Sequence, residues 1–328
     1  MAYQLTHVEG TTALNMKGIS EPPAASSLPG APKVRSRPSP AEHVSTARTV
    51  LFVPGNRRDR FQRALTAGAD LVVVDLEDAV PPQDKDAARR AGEVLVRNGT
   101  PVAFRINDPT TPRGLGDITA LARASGGRPV TLMVPKAENP HLLQAVHDDL
   151  PAGSALIALI ESAVGVLDVR SLASVPGVAR LAFGHLDLSA QLGVDPDEET
   201  VLASARFAVL TASVAAGIAT PIDGVCVAVR DREKILSDTR RSLRAGFTAK
   251  LCIHPDQIEP VHAALAPGPD ELEWARRVVD TMSEHDVGVV AGRMVDRPVY
   301  LQARAIVARA SRADHEHRDA LRDDEERN

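Results

Sequence analysis

Short apolar runs alternate with helix-like stretches along most of this chain, and this alternation limits the folds that it can adopt. Eight runs have the length and the aliphatic character of buried parallel strands. Most of them end 23 to 30 residues apart, about the length of one strand-and-helix repeat. The predicted strands are Thr49–Val53, Leu71–Leu76, Val102–Ile106, Thr131–Val134, Ala155–Ile160, Ala179–Phe183, Ile222–Val227 and Leu251–Ile253.

Amphipathic segments separate these strands, for example Asp84–Val96, Asn139–Leu150, Val201–Ala216 and Asp231–Ala245. Eight such units predict an α/β protein with a (β/α)8 TIM barrel. An open, doubly wound sheet is the alternative. The sequence contains neither GxGxxG nor GxxxxGK[ST], the phosphate-binding loops of many open sheets, and this favours closure.

The segments outside the repeats suggest the domain boundaries. Residues 1–47 are rich in Pro, Ser and Ala without an apolar period, so we expect a disordered leader before a barrel at 48–266. Residues 267–310 contain two helical stretches around Gly288–Asp296, which predicts a C-terminal helical lid or an arm that contacts a neighbouring subunit. Residues 311–328 carry four Arg and seven Asp or Glu, as expected of a disordered charged tail.

Composition excludes several classes of function. A net charge of -5 and an aromatic content of 3% argue against nucleic-acid binding, which needs a basic face or stacking platforms. No apolar run approaches the roughly 18 residues of a membrane span. The N-terminus lacks the pattern of a secretory signal, and Cys226 and Cys252 lie inside apolar runs. We therefore expect a cytoplasmic protein with two buried thiols.

Two predicted strands are followed within four residues by a carboxylate. Glu161 follows one strand, and Asp187 lies 26 residues later, just after the next. Because the carboxyl ends of barrel strands share one rim, these side chains are expected to meet. Two carboxylates with open positions suit Mg²⁺ or Mn²⁺. The alternative is capping of the following helices, since Ser162 and Ser189 are expected at helix starts.

Other polar residues end the neighbouring strands. Arg105 offers a planar fork for a carboxylate or a developing negative charge, or an ion pair with Asp75 or Glu77, and both roles are compatible. Glu77 and Asp78 are expected to order Arg105 and metal-bound water. Lys136 either contacts an acidic ligand or balances the acidic rim. His185 and His254 are candidate bases, with a structural role as the alternative.

Ten short segments, in order from about residue 49 to 310, resemble the citrate lyase beta-subunit-like branch of the HpcH/HpaI aldolase family. They are Leu51-Phe-Val-Pro-Gly-Asn56, Asp75-Leu-Glu-Asp-Ala-Val80, Arg105-Ile-Asn107, Val134-Pro-Lys-Ala-Glu138, Ile160-Glu-Ser-Ala163, Phe183-Gly-His-Leu-Asp-Leu188, Ile222-Asp-Gly-Val225, Gly246-Phe247, Ile253-His-Pro255 and Gly292-Arg-Met-Val-Asp-Arg-Pro298.

The resemblance implies a barrel with a C-terminal extension, assembled as a trimer or a multiple of it. It implies Mg²⁺-dependent, Claisen-type cleavage or formation of a carbon–carbon bond in an acyl-CoA such as malyl-, citramalyl- or citryl-CoA, giving a 2-oxo acid and a shorter acyl-CoA. By motif, Glu161 and Asp187 match the metal ligands. The residues matched to substrate binding are Arg105, Gly184, His185 and Asp187. Asn56 and Arg57 match the coenzyme A contacts, and Asp296 matches a carboxylate that transfers a proton in a neighbouring subunit's site.

The catalytic candidates are therefore Asp296, Arg105 and Glu77. Asp75, Asp78 and Lys136 are expected to support them from behind.

Three other functions fit the same rim: a malyl-CoA-type thioesterase, a keto-acid aldolase that needs no coenzyme A, and a non-catalytic citrate lyase-like subunit. The chain departs from the family pattern at Ala249, which replaces the second glycine of a Gly-Phe-x-Gly-Lys motif. A side chain there is expected to tighten a loop next to the ligand.

Overall fold

The computed structural model describes residues 38–310, and the predicted tail 311–328 and the first 37 residues of the predicted leader lie outside this range. The described residues contain a closed barrel of eight parallel strands in chain order, which confirms the predicted TIM barrel. The strands are β1 Thr49–Pro54, β2 Leu71–Asp75, β3 Val102–Arg105, β4 Thr131–Val134, β5 Ala155–Ile160, β6 Val178–Phe183, β7 Ala219–Asp223 and β8 Ala249–Cys252.

Helices surround the barrel and continue beyond it. Those up to β8 are α1 Pro40–Thr46, α2 Arg58–Leu65, α3 Lys85–Arg97, α4 Pro112–Ser125, α5 Pro140–Asp148, α6 Ala163–Leu167, α7 Val169–Ala173, α8 His185–Leu192, α9 Glu199–Ala216 and α10 Arg232–Arg244. After β8 come α11 Ile258–Leu265, α12 Pro269–Thr281, a hairpin of β9 Gly288–Val290 and β10 Arg293–Val295, and α13 at 297–310.

The strands carry apolar side chains on both faces. Val73, Met133 and Ile157 belong to a cluster inside the barrel, whereas their sequence neighbours pack between the strands and the helices. Successive side chains of a strand point to opposite faces. Asp75, two residues after Val73, and Glu161, two residues after Leu159, therefore continue the inward rows into the mouth of the barrel.

The last two predicted strands were misplaced. β7 ends at Asp223 instead of Val227, because Asp223 and Gly224 interrupt the apolar run. Its middle residue is Pro221, which lacks an N–H group, and the pairing with β6 shifts register there. β8 begins at Ala249, which is buried inside the barrel, so the prediction that this residue tightens a loop was wrong.

The predicted leader was also wrong in its last ten residues. Helix α1 begins at a capping box formed by Ser39 and Glu42, and its Val44 is buried in the barrel interior. Arg180, on β6, donates to the carbonyls of Val44 and Ala47 at 3.0 and 2.5 Å. α1 therefore closes the N-terminal end of the barrel.

The predicted extension forms a small core of its own. Ala275, Val278 and Val295 pack with Ala303 and Ile306 in a cluster separate from those of the barrel. The far end of α13 lies beside the N-terminal end of the barrel, where it borders a cavity of about 500 Å³ together with the start of β7. This is the end of the barrel opposite the carboxyl termini of the strands.

Helix α9 is, among the described residues, the one helix long and apolar enough to cross a membrane. The sequence pattern did not predict it. Its Arg206 is buried and forms ion pairs with Asp223 and Glu199, each at 3.0 Å. This charge network attaches α9 to the barrel wall.

A half-buried carboxylate, that of Asp70, connects the first strands at the N-terminal end of the barrel. Asp70 accepts hydrogen bonds from the backbone N–H groups of Arg48 and Thr49 at 2.7 and 2.9 Å, and its carboxylate lies 3.1 Å from His262 Nε2. Burial opposes the charged form, but the contact with His262 and the backbone donors outweigh it and lower the pKa of Asp70 to about 2.

A depressed carboxylate pKa stabilises the fold above the unfolded pKa of 3.8, and this stabilisation is lost as the pH falls through about 2. We expect Asp70→Asn to lower the free energy of unfolding at pH 7 by about 2 kcal/mol, and by much less at pH 2. Urea unfolding at both pH values measures this. The exposed Asp280→Asn is the control. An Asp70→Asn free energy equal to that of the wild type at pH 7 would contradict the assignment.

Candidate active site

An ion pair between two neighbouring strands lies at the centre of the barrel mouth. β2 and β3 pair so that Asp75 lies opposite Arg105. Arg105 donates from Nε and Nη2 to the two oxygens of Asp75 at 2.8 and 2.6 Å, and its guanidinium lies 5.0 Å from the Phe52 ring centre. Burial opposes the charge, but Asp75 raises the pKa of Arg105. Arg105 is therefore charged and held in one orientation.

The remaining edge of Arg105 faces Glu77. Its Nη1 lies 3.2 Å from Glu77 Oε2, and Lys136 Nζ donates to Glu77 Oε1 at 2.9 Å. Burial raises the pKa of Glu77, although both cations act in the opposite direction. Asp78 lies further out, mostly exposed and 3.9 Å from Arg105. The structure thus brings together the predicted residues of the second, third and fourth strands.

Glu161 joins this group through the backbone. Lys136 N donates to Glu161 Oε1 at 2.8 Å, and Lys136 adopts a left-handed backbone conformation with φ of 46°. That conformation costs about 1–2 kcal/mol in a residue other than glycine. Burial, together with the charges of Glu77 and Asp187, raises the pKa of Glu161 to about 8. A cation beside the carboxylate would favour its charged form.

Gly184 forms the other wall around Glu161. A Cβ at this position would lie 2.5 Å from Glu161 Cβ and 2.9 Å from its Oε2, so only glycine fits. Gly184 precedes α8, whose first turn carries Asp187. Asp187 is exposed, and its negative charge contributes to the raised pKa of Glu161. The two predicted metal ligands therefore lie at the same rim, close enough for the charge of Asp187 to raise the pKa of Glu161.

The capping alternative does not hold for Glu161. Ser162 caps α6 by accepting a hydrogen bond from Gly165 N at 3.1 Å, while Glu161 accepts from Lys136 N. Ser189 lies inside α8 and not at a helix start, so the predicted cap there was wrong. Neither carboxylate is used as a helix cap: α6 is capped by Ser162, and α8 has no side-chain cap.

His185 lies behind the rim and not in the open mouth. It is buried against Gly224, where a Cβ would lie 2.1 Å from His185 Nδ1. Burial and the charges of Arg206 and Lys250 lower the pKa of His185 to about 4, against the opposing effect of Asp223. His254 has a local role, because its Nδ1 accepts a hydrogen bond from Asp256 N at 3.2 Å.

Asn56 and Arg57 occupy the loop after β1, as the resemblance implied. Asn56 Nδ2 donates to Asp84 at 2.9 Å. Arg57 donates from Nε and Nη2 to Asp59 at 2.9 and 2.7 Å and is partly exposed. Both side chains lie at the same end of the barrel as Arg105, and their predicted contact with coenzyme A stays a prediction.

Asp296 is the one predicted catalytic residue that lies apart from this group. Its side chain accepts a hydrogen bond from Val299 N at 3.2 Å, which caps α13. Within residues 38–310 it has no hydrogen bond or ion pair with the barrel, and α13 leads to the opposite end of the barrel. The chain therefore does not bring Asp296 to its own Glu161.

Sequence reasoning missed two buried supports of the rim. Lys85 Nζ donates to the carbonyls of Leu76 and Glu77 and to Asn107 Oδ1 at 2.7–2.8 Å, and so fixes the loop that carries Glu77. Asp117, on α4, accepts from Asn107 Nδ2 at 2.6 Å. The sequence signal for Asp117 was its position beside the apolar Ile118 on the face of α4 that packs against the barrel.

A second missed network supports the wall under His185. Lys250 Nζ lies 3.0 Å from Asp223 and 2.8 Å from Asp238, and all three side chains are buried. Burial opposes charge on Asp223, but Lys250 and Arg206 lower its pKa. Lys250, in the segment Gly246-Phe-Thr-Ala-Lys250, was the sequence signal for this network. Its partners could not be recognised, because Asp223 lies on β7 and Asp238 on α10.

The donor set of the mouth fits a hard divalent cation. No group of three or more His, Cys, Asp or Glu with metal-binding spacing occurs in the described part of the chain. Glu161 and Asp187 are two carboxylates, and carboxylate oxygens are ligands that Mg²⁺ prefers. A site with two protein ligands leaves positions for water and substrate oxygens, as Mg²⁺ sites commonly do.

Comparison with known proteins places this geometry in a family. The sequence profile of the family described as HpcH/HpaI aldolase/citrate lyase matches residues 48–255, which include β1 to β8. The chain belongs to this family. It is similar to a citrate lyase subunit beta-like protein of Mycobacterium tuberculosis, with 34% identity over 274 residues that cover 81% of this chain and 96% of the relative.

Relatives with different activities are similar to the same part of the chain. A (3S)-malyl-CoA thioesterase of Cereibacter sphaeroides is 31% identical over 278 residues, covering 80% of this chain and 94% of the relative. The human mitochondrial citramalyl-CoA lyase is 29% identical over 292 residues, covering 80% and 85%. The family is thus enzymatic, with lyases and thioesterases among its members.

Solved structures agree with the fold. The crystal structure of CitE from Mycobacterium tuberculosis in complex with magnesium, acetoacetate and coenzyme A has a TM-score of 0.70 and 31% sequence identity to this chain. The match covers 81% of this chain and 99% of CitE.

The close approach of Gly184 to Glu161 predicts the effect of a single methyl group. We expect Gly184→Ala to displace the Glu161 carboxylate and to weaken the binding of Mn²⁺, used as a paramagnetic substitute for Mg²⁺, by at least about 10-fold. Electron paramagnetic resonance of free Mn²⁺ measures this without turnover. Gly268→Ala is the matched control, because its Cβ meets nothing within 4 Å. Equal Mn²⁺ affinity in both variants would show that Glu161 is no ligand.

Proposed function

We propose that this protein is a Mg²⁺-dependent carbon–carbon lyase. It would cleave a 3-hydroxyacyl-CoA such as malyl-, citramalyl- or citryl-CoA into a 2-oxo acid and a shorter acyl-CoA, or catalyse the reverse condensation. The observation that carries the proposal is the buried Glu161 carboxylate. It lies in a charged barrel mouth of a chain 31% identical to a CitE that binds magnesium, acetoacetate and coenzyme A.

The residues of the mouth fit the metal. Burial raises the pKa of Glu161 to about 8, and Gly184 leaves space beside its Oε2. Glu161 and the exposed Asp187 would hold Mg²⁺ (or Mn²⁺) through carboxylate oxygens. The bound ion would supply Lewis acidity toward the oxygens of the 2-oxo acid.

Arg105 would bind the negative charge of the keto acid. Asp75 occupies its Nε and Nη2, so Nη1 is the edge left to the substrate, next to Glu77. Because the ion pair fixes the guanidinium beforehand, the donor needs no reorganisation when charge develops on the substrate oxygen. Glu77 and Lys136 would keep this edge in position, and Asp78 would act from the rim.

Asp296 would move the proton. In the cleavage direction the hydroxyl proton leaves, the bond between C2 and C3 breaks, and its electron pair passes to the thioester enolate, which is then protonated at carbon. Asp296 does not reach the Glu161 of its own chain, so we propose that a neighbouring copy provides it. This arrangement requires a homo-oligomer, for which a trimer is our proposal.

Thioester hydrolysis is the second candidate, because a (3S)-malyl-CoA thioesterase is 31% identical to this chain. The same mouth would then direct water to the thioester carbonyl. A coenzyme-A-independent aldolase and a non-catalytic citrate lyase-like subunit are alternatives that no contact in the described residues favours over the lyase.

Product analysis separates these functions. Incubated with malyl-, citramalyl- or citryl-CoA and Mg²⁺, the protein is expected to release a 2-oxo acid and acetyl-CoA in equal amounts from at least one of them. Chelation of Mg²⁺ should abolish turnover. Free coenzyme A with an intact hydroxy acid would identify a thioesterase instead. No product from any of the three thioesters would contradict the lyase.

Complementation between subunits tests the role of Asp296. Asp296→Asn and Glu161→Ala homo-oligomers are each expected to lose at least about 100-fold in activity. Mixed oligomers contain some sites with an intact Glu161 and an intact Asp296, so activity should partly recover after subunit exchange. Exchange is verified by mass spectrometry of the intact oligomers. No recovery in verified mixed oligomers would contradict a shared site.

A further inference from the structure

A buried lysine lies behind the acidic side of the mouth. Lys85 is the first residue of α3 and is only 8% exposed. Its Nζ donates to the carbonyl oxygens of Leu76 and Glu77 at 2.8 and 2.7 Å, and to Asn107 Oδ1 at 2.7 Å. Three acceptors require all three N–H groups of the ammonium form. Lys85 is therefore charged, although burial lowers its pKa.

The position of this charge is unfavourable for the helix itself. The N-terminus of a helix carries a partial positive charge, which repels a cation in the first turn. The preceding residue, Asp84, does not cap α3 with its side chain and instead accepts a hydrogen bond from Asn56 Nδ2 at 2.9 Å. The oxygen acceptors outside α3 are therefore the contacts that favour a lysine at position 85.

These acceptors belong to two loops of the rim. Leu76 and Glu77 follow β2, and Asn107 follows β3. Asn107 is fixed in turn by Asp117, which accepts from its backbone N and its Nδ2 at 3.0 and 2.6 Å. Lys85 thus connects the backbone of Glu77 to a rigid point on the neighbouring loop. Without it, Glu77 would lose this connection.

Glu77 carries the effect of Lys85 into the candidate site. Its carboxylate lies 3.2 Å from Arg105 Nη1, the edge assigned to the keto acid, and accepts from Lys136 Nζ at 2.9 Å. Glu161 is held differently, by the backbone N of Lys136 and by the close approach of Gly184. The position of the keto-acid edge therefore depends on Lys85 more directly than the position of the metal ligand does.

The charge of Lys85 also affects the mouth. The cations Arg105 and Lys136 contact a site with five carboxylates, those of Asp75, Glu77, Asp78, Glu161 and Asp187. Lys85 adds a third positive charge, which the first three of these acids stabilise. Without it the mouth would be more negative. A more negative mouth binds a divalent cation more tightly and an anionic keto acid less tightly.

We propose that Lys85 is a positioning residue for the 2-oxo acid and that its charge favours this anion over the metal ion. The inference rests on the proposed function. Lys85 needs no contact with the substrate, because it acts through the backbone of Glu77 on the Arg105 edge and through its charge on both ligands. A lysine that served the fold alone would not affect the two ligands in opposite directions.

Two neutral variants test this role without turnover. Lys85→Met keeps an unbranched apolar stem and removes the ammonium group, whereas Lys85→Gln keeps two N–H donors without the charge. At low ionic strength, electron paramagnetic resonance is expected to show that both variants bind Mn²⁺ as tightly as the wild type or up to about 3-fold more tightly. In calorimetric titrations of the Mn²⁺-loaded protein, pyruvate is expected to bind Lys85→Met at least about 10-fold more weakly. Lys85→Gln should lose less, because its amide can still hold the loop.

The control is Lys234→Met, which removes an exposed lysine from α10 and should leave both affinities within about twofold of the wild type. Urea unfolding identifies the variants that fold, and Lys85→Gln alone is sufficient for the test. Unchanged pyruvate affinity in the folded variants would overturn the inference, as would a parallel loss of Mn²⁺ and pyruvate. A wild type that does not bind pyruvate in the presence of Mn²⁺ would instead contradict the proposed function, and the inference would fail with it.

Discussion

The ion pair of Arg105 and Asp75 is the interaction on which the candidate site depends. Strand register places the two side chains opposite each other, and both lie where water cannot stabilise a lone charge. Removing one partner of a buried pair costs about 3–5 kcal/mol, because the other charge is left uncompensated. Glu77 and Lys136 extend the pair toward Glu161, so the charges of four strands form one connected group.

Much of the fold and part of this group can be predicted from sequence. Apolar runs locate the first six strands to within about two residues. A strand that is buried on both faces is a continuous apolar run, and this can be recognised from the local sequence. β7 was misplaced because it begins at Ala219, before Pro221, and its pairing with β6 shifts register around this proline. The apolar pattern of Ile222–Val227 does not show this pairing. Glu161 and Asp75 were recognisable as acids that end buried strands. The left-handed backbone of Lys136 and the contact of Gly184 with Glu161 depend on long-range packing, which a local pattern does not contain.

Buried charged residues outside the mouth support it. Lys85, Asp117 and the pair of Asp223 and Lys250 fix the loops and walls from behind and leave the mouth open. The C-terminal extension carries Asp296 and has a small core of its own. Its last helix borders the end of the barrel opposite the mouth.

The central claim is that Glu161 and Asp187 hold a divalent cation in this mouth. Anomalous diffraction from a crystal of the protein grown with Mn²⁺ and pyruvate locates the ion directly. We expect an anomalous peak within bonding distance of both carboxylates, about 2.0–2.3 Å, with pyruvate oxygens completing its coordination next to Arg105. A peak elsewhere, or a fully ordered mouth with no peak at Glu161, would contradict it.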